Sequence, residues 1–114
     1  MERDFEHKLF REQVGGLLEA HFLILYWAAL AEDRKRRYNI TNCFDDLKAQ
    51  TITRTKQTAT ALVEALQALR FLDIRDEGNR KNVYITPYGA KALESMILNQ
   101  TYSPQKSQFL EVQS

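Results

Sequence analysis

The sequence predicts a mostly helical α+β domain: successive helices, one two-stranded hairpin, then a final helix. Two patterns and one balance predict it. Apolar residues recur at helical spacing along most of the chain, most regularly at Ala59, Leu62, Val63, Leu66 and Leu69. Period two replaces that spacing once, where Leu72 and Ile74, then Val83 and Ile85, alternate with polar residues. The 114 residues are 44% apolar and 27% charged, which excludes disorder, collagen and a disulfide scaffold as whole-chain readings. This length suits one domain able to bury roughly two-thirds of its unfolded surface.

Each element has its own justification. Residues 3–14 place Phe5, Leu9, Phe10 and Val14 on one helical face, and Gly15-Gly16 then breaks or kinks the helix. Residues 17–31 form a second helix, apolar nearly all round and therefore buried on several sides. Its Phe22, Tyr26 and Trp27 read as a core or dimer stripe rather than a ligand box. A loop over 32–39 carries the basic run Arg34-Lys35-Arg36-Arg37. A short helix over 43–49 follows, with Thr41 or Asn42 as its cap and Asp45 and Asp46 in its first turn, where the helix dipole favours acids.

The connector Gln50-Thr51-Ile52-Thr53 leads to the clearest helix, capped by Thr53 or Thr55. Opposite its apolar stripe it shows Arg54, Lys56, Gln57, Thr58 and Thr60 near the N-terminus. The hairpin comes next, its strands joined by the polar link 76–81. Thr86-Pro87 then restarts a helix, a capping hydroxyl followed by a proline whose missing N–H costs nothing there. That helix, 88–98, carries Ala92, Leu93, Met96 and Ile97 on one face. Residues 99–114 are polar, with scattered anchors, and read as a mobile tail.

The net charge of +1 hides a division: residues 1–33 carry −4, residues 34–86 carry +5, and the rest is neutral. The basic middle coincides with the short helix, the connector, the polar-fronted helix and the hairpin. That order is a helix-turn-helix followed by a wing. A helix fits the major groove and its first turn reaches base edges, while a basic hairpin tip reaches phosphates or the adjacent minor groove.

Residues 17–98 resemble the winged-helix domain of the MarR family (multiple-antibiotic-resistance regulators). The resemblance rests on ATALVEALQALRFL at 59–72, which matches the family's recognition helix and its exit. It rests more specifically on Val83-Tyr84-Ile85-Thr86-Pro87-Tyr88-Gly89, which matches an apolar strand, then Leu/Ile-Thr-x-x-Gly, then a helix. The resemblance implies a homodimeric transcription regulator on a near-palindromic duplex-DNA operator, in many members answering a small-molecule effector or an oxidant.

Three positions depart from the family pattern. Arg70 stands where a glycine usually ends the recognition helix. The family's Asp-x-Arg pair in the wing meets Glu77-Gly78-Asn79, with Arg80 one place late. The long C-terminal dimerisation helices have no counterpart beyond Leu98. Pairing then falls to the N-terminal helix, 1–16, through Phe5, Leu9, Phe10 and Val14, with Leu17 just beyond it.

For DNA, Thr55, Lys56, Gln57, Thr58 and Thr60 are expected to read bases. Arg54, Arg36, Arg37, Arg80 and Lys81 are expected to hold phosphates, with Thr53 and Asn79 completing the face. Cys43 lies near a helix start, a place that activates thiols, but no resolving cysteine exists. His7 and His21 lack metal-ligand spacing, and no nucleophile–base pair or phosphate loop occurs, so neither a metal or other cofactor nor an enzyme is expected. One cysteine and no apolar run longer than the ten residues 22–31 point to the reducing cytoplasm and away from a membrane. Two rival readings use the same fold: a protein-interaction module without an operator, and a plasmid or phage replication-associated DNA-binding protein.

Overall fold

The chain runs α1 (Glu2–Gly15), α2 (Glu19–Asp33), α3 (Ile40–Ala49), α4 (Lys56–Ala68), β1 (Leu72–Glu77), β2 (Arg80–Ile85) and α5 (Pro87–Leu98) in a computed structural model. The structure describes residues 2–110, and side chains from Glu6 onward. The expected α+β order of helices, one hairpin and a closing helix is what the chain adopts. No single helix among the described residues is long and apolar enough to cross a membrane.

α2 is the axis of the core. Phe22, Leu23, Ile24, Leu25 and Trp27 are completely buried on it, and it touches α3, α4, α5 and β2. An apolar helix packed on several sides needs no polar stripe, which is why the sequence shows none. α1 stands 107° away from α2 across the Gly15-Gly16 break and packs on α5 instead. Phe10 meets the edge of the Tyr88 ring at 5.3 Å, and the Tyr88 hydroxyl donates to Gln13 Oε1 at 2.7 Å.

The hairpin pairs Leu72 with Ile85 through Glu77 with Arg80, leaving a two-residue turn, Gly78-Asn79. Gly78 sits at φ +69°, a left-handed position open to glycine. The polar link 76–81 is therefore mostly ladder. The chain before α3 adds a strand stub to the sheet: Val83 N donates to the Tyr38 carbonyl at 2.8 Å, and Asn39 bridges Asn82.

The Thr-x-x-Gly motif explains itself. Thr86 caps α5 by accepting from Gly89 N at 2.9 Å, and its hydroxyl donates to the Arg70 carbonyl at 2.6 Å. A Cβ on residue 89 would lie 2.0 Å from the Phe71 carbonyl oxygen, so only glycine lets α5 approach the exit of α4 this closely. One threonine and one glycine thus lock the end of the wing to the end of the helix before it.

Four helices end the same way. Lys35, Thr51, Arg70 and Gln100 follow α2, α3, α4 and α5 in the left-handed region, at φ +55°, +58°, +67° and +51°. Each donates to the carbonyl three back while the next residue donates five back, as with Thr51 N to Lys48 O and Ile52 N to Leu47 O. Arg70 therefore builds the exit that glycine makes elsewhere, at a cost of about 1 kcal/mol for the left-handed side chain.

Two expectations are corrected. α3 begins at Ile40 rather than at 43, because Asn39 is its cap: Asn39 Oδ1 accepts from Asn42 N at 2.7 Å and Asn42 Oδ1 accepts from Asn39 N at 3.1 Å. Asp45 and Asp46 consequently lie in mid-helix and Asp46 is buried. The expected mobile tail is seated on the core as far as residue 110. Tyr102 packs 5.9 Å from Phe22, Trp27 Nε1 donates to the Gln105 carbonyl at 2.8 Å, and Leu110 is wholly buried. Sparse apolar anchors suffice there because α2 and α3 supply the other side of the Tyr102, Gln105 and Ser107 contacts.

Candidate nucleic-acid interface

α3, the turn 50–55 and α4 form the helix-turn-helix. Thr55 caps α4, its hydroxyl oxygen accepting from Thr58 N at 3.2 Å and lying 3.0 Å from Thr58 Oγ1. Ala59, Val63 and Leu66 are buried beneath, which turns the opposite face outward. Arg54, Thr55, Lys56, Gln57 and Thr58 are exposed there. Thr60 is half-buried, and its hydroxyl donates back to the Lys56 carbonyl at 2.9 Å. The threonine hydroxyls are thus engaged locally, while the exposed Arg54, Lys56 and Gln57 side chains have no hydrogen-bond partner among the described residues.

The wing tip faces this turn. Lys56 and Thr60 of α4, the first residues of α3, and Asn79, Arg80 and Lys81 of the wing wall one groove of about 670 Å³. Three cations share it, and among the described residues none has a carboxylate within ion-pair distance. Like charges held around one concavity raise its positive potential. Thr41 and Asn42, on the same wall, were not foreseen as site residues; recognising the Asn39 cap would have found them.

Other charges of the wing are already used. Arg75 pairs with Asp73 at 3.0 Å and lies 4.3 Å over the Tyr84 ring. The wing's acid–arginine pair is therefore Asp73–Arg75, within β1. Glu77 accepts from Tyr84 Oη and, at 2.7 Å, from Asn82 Nδ2. These hydrogen bonds, from Tyr84 first, hold its carboxyl below the ordinary carboxylate range, and nearby Arg37 and Arg75 act in the same direction.

The remaining expected residues divide. Thr53 is buried, with its hydroxyl unpartnered, so it is not available to a duplex: the turn folds it beneath α4. Arg36 and Arg37 are exposed at the exit of α2, beside Val83 and Tyr84, and do not line the groove. Arg36 Nη1 donates to the Phe109 carbonyl at 3.4 Å. Cys43 is fully buried on α3; burial first, then the charge of Asp46, push its thiol up, which keeps it from the reactive thiolate form.

Of the expected pairing residues, Leu9 is exposed, Phe10 is half-buried against Tyr88 of α5, and Val14 is half-buried against the core. The Phe5 side chain lies outside the described residues. Leu17 is 5% exposed and belongs to the core, since the chain turns inward after Gly16. Leu18, Ile97 and Leu98 stand exposed in its place. Among the described residues, no three His, Cys, Asp or Glu side chains gather as a metal site.

No family model matches the chain, and no curated protein matches it by sequence. Solved structures do. The chain is similar to Bordetella bronchiseptica BpsR, whose DNA binding is regulated by 6-hydroxynicotinic acid, with a TM-score of 0.55 and 20% identity over 88% of this chain and 70% of that one. It is similar to Staphylococcus aureus MepR, a transcription regulator of the multidrug efflux pump MepA, with a TM-score of 0.59 and 17% identity over 87% of this chain and 76% of that one. A single-residue variant of MepR bound to an oligodeoxyribonucleotide gives 0.58, at 17% identity over 87% and 74%. At such identities the likeness is one of fold: this chain shares the winged helix-turn-helix fold of these proteins.

Proposed function

We propose that the protein is a sequence-preferring, duplex-DNA-binding transcription regulator that acts as a homodimer in the cytoplasm, and not an enzyme. One observation carries the reading: the free donors at the start of α4 stand exposed beside the groove that Lys56 shares with Arg80 and Lys81 of the wing. α4 is 13 residues long, about 20 Å, a length that enters a major groove. Gln57 and Lys56 read base edges, Arg54 holds the entry of the helix to a phosphate, and Arg80 and Lys81 reach the flanking backbone or minor groove. MepR bound to an oligodeoxyribonucleotide and BpsR, with its regulated DNA binding, support the same use of the fold.

Two copies would join through the exposed Leu9, Leu18, Ile97 and Leu98, placing two α4 helices one duplex turn apart. The test is selection of bound fragments from a random duplex pool, at stated salt. A palindromic consensus is the expected result. Absence of any enriched sequence contradicts the reading and favours a protein-interaction module on the same fold.

A further inference from the structure

The segment beyond α5 makes a set of contacts that duplex binding does not use. It has neither helix nor strand, yet it is tied to α2 and α3 and to the loop between them. Trp27 Nε1 of α2 donates to the Gln105 carbonyl at 2.8 Å. On α3, Asp46 Oδ2 accepts from the Ser107 hydroxyl at 2.6 Å and Oδ1 accepts from Gln108 N at 2.9 Å. Arg36 of the connecting loop holds the Phe109 carbonyl.

Asp46 is 1% exposed and, among the described residues, has no basic partner within ion-pair distance. A buried carboxylate without a cation depends on its hydrogen-bond donors. Tyr38 provides one, from 2.5 Å, and burial keeps that phenol protonated. The segment 101–110 provides the other two. When it leaves, Oδ1 is left without a donor, and α3 must admit water or shift.

We propose that residues 101–110 form a displaceable strap that braces α3, and through α3 the placement of α4, so that its release weakens duplex binding. The strap suits exchange because single side-chain and carbonyl contacts hold it, with no backbone ladder to break. Release also frees Arg36, one added cation, but base reading needs α4 held in register and the loss of the brace outweighs that gain. The effect on duplex binding rests on the regulator reading above; the bracing of α3 does not.

The full-length chain carries its own reporter, because Trp27 is its single tryptophan. Leu110→Asp unseats the strap by placing a charge in a fully buried position. The expected result is stronger quenching of Trp27 by acrylamide. Amide exchange in α3 should accelerate about tenfold while the centre of α2 keeps its protection, and the selected duplex should bind about tenfold more weakly. Ser107→Ala should move all three in the same direction by less. A fluorescent peptide of residues 101–110 should bind the full-length protein saturably, and more tightly in the Ser107→Ala variant.

Unchanged quenching in both variants overturns docking, and quenching that rises without faster exchange in α3 overturns the brace. Should Leu110→Asp lose protection everywhere, Ser107→Ala decides, and unaltered α3 exchange there overturns it as well. No peptide binding at millimolar concentration overturns displacement. A parent chain that binds no duplex overturns the regulator reading and the duplex effect together, while the exchange data still judge the brace.

Discussion

Two polar regions meet α3, one at the buried Asp46 and one at its first turn, and they differ in what their charges have found. Around Asp46 every oxygen has a donor: Tyr38, Ser107 and Gln108 N converge on one buried carboxylate. Around the α4–wing groove, Lys56, Arg80 and Lys81 share a concavity with no carboxylate at ion-pair distance among the described residues. A buried charge must be satisfied within the fold because water cannot reach it. An exposed group of like charges remains unsatisfied at no such cost, and only an anionic partner completes it. The first region belongs to the fold, and the second is the surface proposed to meet DNA.

The contrast can be broken by substitution, and the largest effect belongs to the satisfied region. Asp46→Ala takes the acceptor from two buried hydroxyls, Tyr38 and Ser107, and from the part-buried Gln108 N–H, and is expected to lower unfolding free energy by about 3 kcal/mol, read by urea titration. A loss below about 1 kcal/mol would remove the cluster from the account of stability. The open region behaves inversely. Lys56→Ala and Arg80→Ala should change stability by less than about 0.5 kcal/mol each, while each weakens duplex binding by about 1–3 kcal/mol.

Thr51→Gly sharpens the comparison within the helix-turn-helix itself. A β-branched residue at φ +58° is strained, and glycine relieves it, so about 0.5–1 kcal/mol of added stability is expected in thermal unfolding. The smallest effect is one of pH. His21 Nδ1 accepts the Leu18 N–H at 2.9 Å at the start of α2, and burial lowers its pKa from the usual 6.5. The unfolded chain therefore takes the proton first as pH falls. Stability present above pH 6.5 is lost below it, by about 0.5–1 kcal/mol, the worth of one hydrogen bond. In His21→Gln, this component of the dependence should vanish.

Much of this was legible in the residues. The stripe from Ala59 to Leu69 sets α4, period two sets the wing, and Thr86-Pro87 marks the start of α5, because each signal is local and periodic. Gly89 was legible as a motif position; the 2.0 Å approach to Phe71 supplies its reason. What escaped depends on distant partners. The seat of residues 101–110 rests on contacts such as Trp27 with Gln105 and Asp46 with Ser107, separated by 78 and 61 positions, and no spacing rule reaches that far. Thr53 and Leu17 escaped because a turn residue's side is set by how the chain folds back, not by its type. For Arg36 and Arg37 the charge is legible in the sequence, but which wall of the domain their loop joins is not.

The central claim is that the α4–wing face binds duplex DNA through its unpaired cations. The measurement that meets it most directly is the affinity of the selected duplex across a salt series, for the parent and for the Lys56→Ala, Arg80→Ala double variant. The account predicts a steep fall in affinity with salt for the parent, and a log–log slope shallower by about two in the variant, one for each phosphate no longer neutralised. Identical slopes in the two proteins would contradict it.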